Sequence, residues 1–410
     1  MTSPSDLFVW VWLPGATSPV VAGRIRWSGT VYQFGYGQSY LSRPDAISLF
    51  TPQLPLRQGW ADPPEDQDMA GCLWDASPDA WGQRAIIARL TGRYGREADD
   101  TQIDKSTFLL ESGSNRIGAL DFQASSSTYV PRVETASLDE LHGAAETLLA
   151  GKALSEGLAR ALVDGTAVGG ARPKVLIADS GIEYIAKLST SSDPYPIVKA
   201  EAAAMELARR VGIEVSTWRI VKSLNRDVLL TRRFDRPAPQ QRRMMVSALT
   251  MLGWGDFLGA RYATYPDVLD VLRRWAVSGD GIGRSLFERV VFNVAIGNTD
   301  DHARNHAAFW DGQHLELTPA FDLCPQLRTG REANQAMGIN SDGDRRSTFA
   351  VCIANASEYG LSRREARDIV YRQVSTIEES WDDVTSMAEL TNAEAKALYG
   401  RQILNPFASS

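Results

Sequence analysis

The chain has 410 residues, 44% of them apolar and 23% charged, with a net charge of −7 and a pI of about 5.3. That length predicts two or three domains, and the apolar share predicts a sizeable core, which excludes wholesale disorder. The acidic balance argues against a free-standing nucleic-acid binder, although Arg-Arg pairs at 209–210, 232–233, 242–243, 273–274, 345–346 and 363–364 leave local basic patches open.

The start, MTSPSDLFVWVWLPG, has no basic opening and only a short apolar run, so no secretory leader is expected. No apolar stretch reaches 18 residues, so no membrane span is expected either. Residues 6–50 read as strands: LFVWVWL, VVAGRIRW and TVYQFGYG are rich in β-branched and aromatic residues, with Gly15, Gly23 and Gly29 separating or interrupting them. An Asp/Ser/Pro cluster at 75–79 predicts a helix from about Trp81 to Leu90. ESGSNRIGALDF is a glycine-containing turn region, and 124–137 reads as a linking loop. The segment 138–163 predicts a helix with Leu141, Ala144, Ala145 and Leu148 on one face.

The next stretch carries chemistry. GTAVGGARPK precedes the strand VLIAD, a Ser-Gly turn and the strand IEYIAKL. Small residues at Gly169, Gly170 and Ala171, followed by Arg172, Pro173 and Lys174, let backbone N–H groups approach a phosphate. The loop is not a Walker A sequence, and a plain hairpin turn remains open for it alone. Lys187, at the end of the following hairpin, stands where a kinase places its phosphate-holding amine. A helix over 197–211 then puts Glu201 on its apolar side, beside Ala202, Met205 and Ala208. A carboxylate there needs a partner, and Lys187 is the expected one. A strand near Asp227–Arg233 leads into FDRPAP, and from Met245 onward the pattern is almost all helical except HAAFWDGQHLELT and the loops around it.

Cys72, Cys324 and Cys352 are odd in number and far apart, with no CxxC, which speaks against disulfides and for a reducing cytoplasm. His302 and His306 are four apart, but residue 303 is Ala, so the glutamate of an HExxH zinc site is missing.

The strongest signal is GNTDDHARNHAAFWDGQHLELTPAFDLCP at 297–325, entered from the apolar helix SLFERVVFNVAIG. Asp300 and Asn305 are five apart, the spacing in which a kinase loop sets a proton acceptor and a magnesium ligand. Asp322 follows 17 residues later, beyond a predicted strand pair, where the acidic metal ligand is expected beside the amide of Asn305. The joint order of glycine loop, strand lysine, helix glutamate, Asp-x4-Asn and Asp predicts phosphoryl transfer with ATP and Mg2+.

GGARPK, KAEAAAMELARRVGI, FDR, NTDDHARNH and AFDLCP, with DASPDAWGQR and ESGSNRIGALDF, resemble the HipA family of toxin kinases over roughly residues 6–400. The resemblance implies an α+β, two-lobed kinase-like fold: a β-rich N-terminal subdomain (1–125), a mixed N-lobe (126–240) and a helical C-lobe (241–410). It implies a serine/threonine protein kinase with a helix-turn-helix antitoxin partner, DNA reached only through that complex, and targets such as aminoacyl-tRNA synthetases. By motif, Gly169 to Lys174 form the phosphate loop, Lys187 holds phosphates and Arg232 to Phe234 form the adenine linker, with Asp235 nearby. Asp300 is the base, His302 lies in its loop, and Asn305 and Asp322 hold the metal. The family's autophosphorylated serine is absent; Thr166 stands in that stretch, where it either takes the phosphate instead or only hydrogen-bonds its own turn, with the control then absent. A DNA-bound corepressor and a small-molecule kinase remain alternatives.

Overall fold

The computed structural model describes residues 7–94, 98, 102–134, 136–166, 172–279, 281–328, 330 and 332–410. The chain divides into two compact units: Met1–Ser192 with Val221–Val246 and Trp310–Gln313, and Asp193–Ile220 with Ser247–Phe309 and His314–Ser410.

The first unit contains the predicted β-rich module. Strands β1 (Leu7–Val11), β2 (Val20–Trp27), β3 (Tyr32–Tyr36), β4 (Trp60–Ala61) and β5 (Leu120–Gln123) form an antiparallel sheet in the order β4-β3-β2-β1-β5. Gly23 and Gly35 allow β2 and β3 to approach: a Cβ on Gly23 would lie 2.2 Å from the Gly35 carbonyl oxygen. Asp79 caps the helix Ala80–Thr91 by accepting from the Gly82 N–H, as the Asp/Ser/Pro cluster predicts. The helix expected over 138–163 is two helices, Leu138–Leu149 and Glu156–Gly165. Gly151 takes φ +70° between them and Ser155 caps the second, so the apolar period alone overran a break.

A second sheet consists of β6 (Lys174–Asp179), β7 (Ile182–Leu188), β8 (Trp218–Ser223) and β9 (Arg226–Arg232), in the order β6-β7-β9-β8. Ser180 and Gly181, both at positive φ, turn β6 into β7. Leu141, Leu148, Leu162, Val175, Leu188, Val228 and Leu230 join the two helices to this sheet in one core cluster.

The second unit is mainly helical. Its helices include Ile197–Arg210, Tyr265–Trp275, Ile282–Ile296 and Arg363–Met387. An Arg210–Asp383 ion pair joins the first of these to the last. The predicted strand pair is present as Ala307–Trp310 and Leu315–Leu317. Among the described residues, helix does not resume until Phe349, contrary to the mostly helical expectation. Pro319, Pro325, Gly338 and Gly343 interrupt that stretch, and isolated bridges (Val215↔Ala320, Thr264↔Gly338, Asn334↔Arg346) hold it instead. Among the described residues no helix is long and apolar enough to cross a membrane.

Candidate active site

In the second unit, helix Ile282–Ile296 is buried on nearly every side by Leu286, Phe287, Val290, Val291, Phe292, Val294 and Ile296. It ends at Gly297, whose φ of +67° turns the chain into the loop at 298–306. A Cβ there would lie 2.6 Å from the Gln402 carbonyl oxygen, so both conformation and space demand glycine. Gly297→Ala should therefore lower stability by at least about 1–2 kcal/mol, the cost of a left-handed residue alone. An unchanged urea midpoint would mean that the helix end can rearrange freely.

The loop folds on its own backbone. His302 N–H donates to Asp300 O (2.9 Å), Asn305 N–H to His302 O (2.8 Å), and Asn305 Nδ2 also to Asp300 O (3.1 Å). Asn305 is 9% exposed, and its Oδ1 accepts no hydrogen bond among the described residues. The two adjacent aspartates differ sharply. Asp301 is buried, and its Oδ2 accepts from Tyr265 Oη (2.6 Å), Asn293 Nδ2 (2.7 Å) and His306 Nε2 (2.9 Å). Asp300 is the exposed member, and its carboxylate accepts no hydrogen bond among the described residues. Partial loss of water raises its pKa; His302 opposes the rise, and the charges of Asp322 and Asp301 add to it.

Asp322 sits at φ +58°, a left-handed conformation uncommon for a non-glycine residue and most often found where function over-determines the backbone. The Asn298 Nδ2 reaches its carbonyl oxygen at 3.3 Å, and the Cys324 N–H donates to the same atom at 3.0 Å. No cluster of three or more His, Cys, Asp or Glu able to hold a metal occurs among the described residues. An unengaged amide oxygen on Asn305 and the carboxylate of Asp322 are hard oxygen donors, a sparse set that suits magnesium, which keeps several waters.

The first unit holds the other site residues. Lys174 opens β6 and stands directly opposite Lys187 of β7. Directly opposed residues of an antiparallel pair share a face, so two ammonium groups are concentrated there, an arrangement favourable to an anion. Pro173 O accepts from the Leu188 N–H, and Arg172 lies beside Leu188 O. Gly169, Gly170 and Ala171, the centre of the expected phosphate loop, lie outside the described residues. Glu201, in the second unit, is 3% exposed on its helix, as its place on the apolar side requires.

Three expectations change. Arg233 and Asp235 do not face outward to a nucleotide: Arg233 Nε and Nη2 donate to Asp235 at 2.9 and 2.7 Å, and both residues are buried. Arg236 Nη1 donates to Asp235 Oδ2 at 2.9 Å, the Gly118 N–H to the same atom at 2.8 Å, and Arg233 and Arg236 both reach Arg116 O. The FDR and SNRIG motifs are thus two sides of one structural network, whereas Arg232 stays exposed and Phe234 half-buried. Thr166 is 1% exposed and donates its hydroxyl to Val163 O (3.2 Å), so it serves its own turn rather than presenting a phosphoacceptor. Sequence reasoning also passed over Asp301, Asn293 and Asn298. Asn293, polar in the middle of an apolar helix, was the available signal.

Comparison with known proteins follows the same lines. The family model described as the HipA-like C-terminal domain matches residues 166–381, and that of the HipA N-terminal domain matches residues 11–123. The serine/threonine-protein kinase toxin HipA of Shewanella oneidensis is 27% identical over 217 residues, 46% of this chain and 49% of that protein. The putative kinase Y4mE of Sinorhizobium fredii is 26% identical over 132 residues, 30% of this chain and 31% of that protein. The chain thus spans about half the length of the first of these curated relatives and less than a third of the second. A solved complex of HipA, HipB and operator DNA from Shewanella oneidensis MR-1 contains a chain of the same fold, with a TM-score of 0.72 at 18% identity, covering 96% of this chain and 95% of that one.

Proposed function

This chain belongs to the HipA family, and from that membership we propose that it is a magnesium- and ATP-dependent serine/threonine protein kinase, the toxin of a toxin–antitoxin module acting in the cytoplasm. The acceptor hydroxyl oxygen attacks the γ-phosphorus, the bond from that phosphorus to the β,γ-bridging oxygen breaks, and ADP leaves. The hydroxyl proton passes to the Asp300 carboxylate. Lys174 and Lys187 would hold phosphate oxygens. Asn305 through Oδ1 and Asp322 through its carboxylate would hold the metal. When bound, magnesium neutralises charge developing on the phosphate oxygens.

The observation that carries this reading is the contrast between neighbours: Asp301 Oδ2 accepts from three donors, while the Asp300 carboxylate beside it is exposed and accepts none among the described residues. A carboxylate kept unpartnered on an anchored loop is available to a proton. A helix-turn-helix antitoxin is the partner we assign. The solved relative was captured with HipB and operator DNA, and a net charge of −7 speaks against DNA binding by this chain alone.

Asp322→Ala should weaken nucleotide binding by roughly tenfold or more with magnesium present, and hardly at all without it. Titration calorimetry in both conditions tests this. Equal losses with and without the metal would make Asp322 a structural residue and remove the metal site from the proposal.

A further inference from the structure

The Asp301 contacts extend beyond its own loop. Asn293, which donates to Asp301 through Nδ2, accepts from Asn298 Nδ2 through Oδ1 at 3.0 Å. Asn298 Nδ2 also reaches the carbonyl oxygen of Asp322 at 3.3 Å. Tyr265, Asn293, Asn298, Asp301 and His306 are all at most 3% exposed. The chain of hydrogen bonds therefore touches each assigned site residue through the backbone: Asp301 adjoins Asp300, His306 adjoins Asn305, and Asn298 holds Asp322.

We propose that Asp301, with Tyr265, Asn293 and Asn298, forms a buried positioning relay that sets the place of the proton acceptor relative to the metal-holding residues. The inference deepens the kinase reading and rests on it for its kinetic consequence. The physical reason is that buried polar groups with all partners in place allow few alternative arrangements, because every alternative strands a donor or acceptor away from water. Asp300 needs no side-chain partner of its own, since the residue after it is pinned by three donors from two helices and a strand edge. Asp322 sits in a left-handed conformation with donors arriving at its carbonyl oxygen. None of the relay side chains need touch substrate, so they are positioning residues.

Two variants test the relay. Tyr265→Phe deletes one hydroxyl at constant shape, and Asn298→Ala removes the link to Asp322. The first readout is hydrogen–deuterium exchange of the intact chain without nucleotide. The relay requires that Tyr265→Phe raise exchange across both 297–306 and 320–326, although the substituted residue touches only the first segment. Increased exchange confined to residues near 265 overturns the proposal. The second readout is kinetic: kcat should fall by about tenfold or more, as displaced catalytic geometry causes, with the KM for ATP within about twofold of wild type. A rise in KM without loss of kcat also overturns it. If the wild-type chain transfers no phosphate, the kinase reading fails, and the exchange measurement still decides whether the relay couples the two segments.

Discussion

Asp300→Asn is expected to reduce phosphoryl transfer by about 10²- to 10⁴-fold, the range that a positioned proton acceptor supplies. The substitution keeps size and polarity and removes only the ability to take a proton. Among the described residues the Asp300 carboxylate accepts no hydrogen bond, so the unfolding midpoint should stay close to wild type. Affinity for ATP with magnesium should be largely kept, because Asn305 and Asp322 are the assigned metal holders. The neighbouring substitution gives the control. Asp301→Asn strips a buried acceptor of three donors and should lower stability as well as activity. A purified Asp300→Asn variant that phosphorylates protein within about threefold of wild type would falsify the assignment of the base. Phosphoproteomics after induction of the wild-type chain and of Asp300→Ala would identify the acceptor at the same time.

Asp235→Asn should cost stability, by about 3–5 kcal/mol, the range for removing one partner of a buried ion pair. Arg233 and Arg236 would each remain buried with a cation facing a neutral amide. Burial already pushes the Arg236 guanidinium down to about 9, with the Arg233 and Arg242 charges adding to the fall and Asp235 opposing it. Burial alone would raise the Asp235 carboxyl, but the Arg233 and Arg236 charges and their hydrogen bonds overcome it and hold the group well below the usual carboxylate range. A folded-state pKa lower than the unfolded value of about 3.9 means stability that is fully present above that pH and is lost as pH falls below it. Urea unfolding followed by tryptophan fluorescence should show the wild-type advantage over Asp235→Asn at pH 7 and its shrinkage below about pH 4. A difference under about 1 kcal/mol at neutral pH would mean that water or local rearrangement pairs the arginines instead.

Both substitutions fall in motifs that the sequence makes conspicuous, and only one of them is proposed here as a site motif. Asp-x4-Asn and the later Asp322 were legible because each spacing lies within a short stretch and the loop's chemistry follows from its residue types. RRFDR was equally conspicuous and was misassigned. Its aspartate and arginines look available in one dimension, whereas they pair with one another and with residues 115–118, 117 or more positions away. For Thr166 the sequence left two roles open, a phosphoacceptor and a hydroxyl bonded to its own turn, and the bond to Val163 O at its own helix end favours the second.

Local information determined the strands of the β-rich module, the capped helix after Asp79, the hairpin carrying Lys174 and Lys187, the buried side of Glu201 and the ordered set Asp300, Asn305 and Asp322. Period, caps and turn residues act over a few positions, so a sequence carries them directly. Tertiary structure decided which of two adjacent aspartates is free and which is anchored, that Asp322 adopts a left-handed backbone, and that the stretch after Leu317 is irregular up to Phe349. The two aspartates depend on where buried polar groups find partners, some nearby and some from separate elements (Tyr265 for Asp301, Asn298 for Asp322), and residue types alone do not say which partners meet.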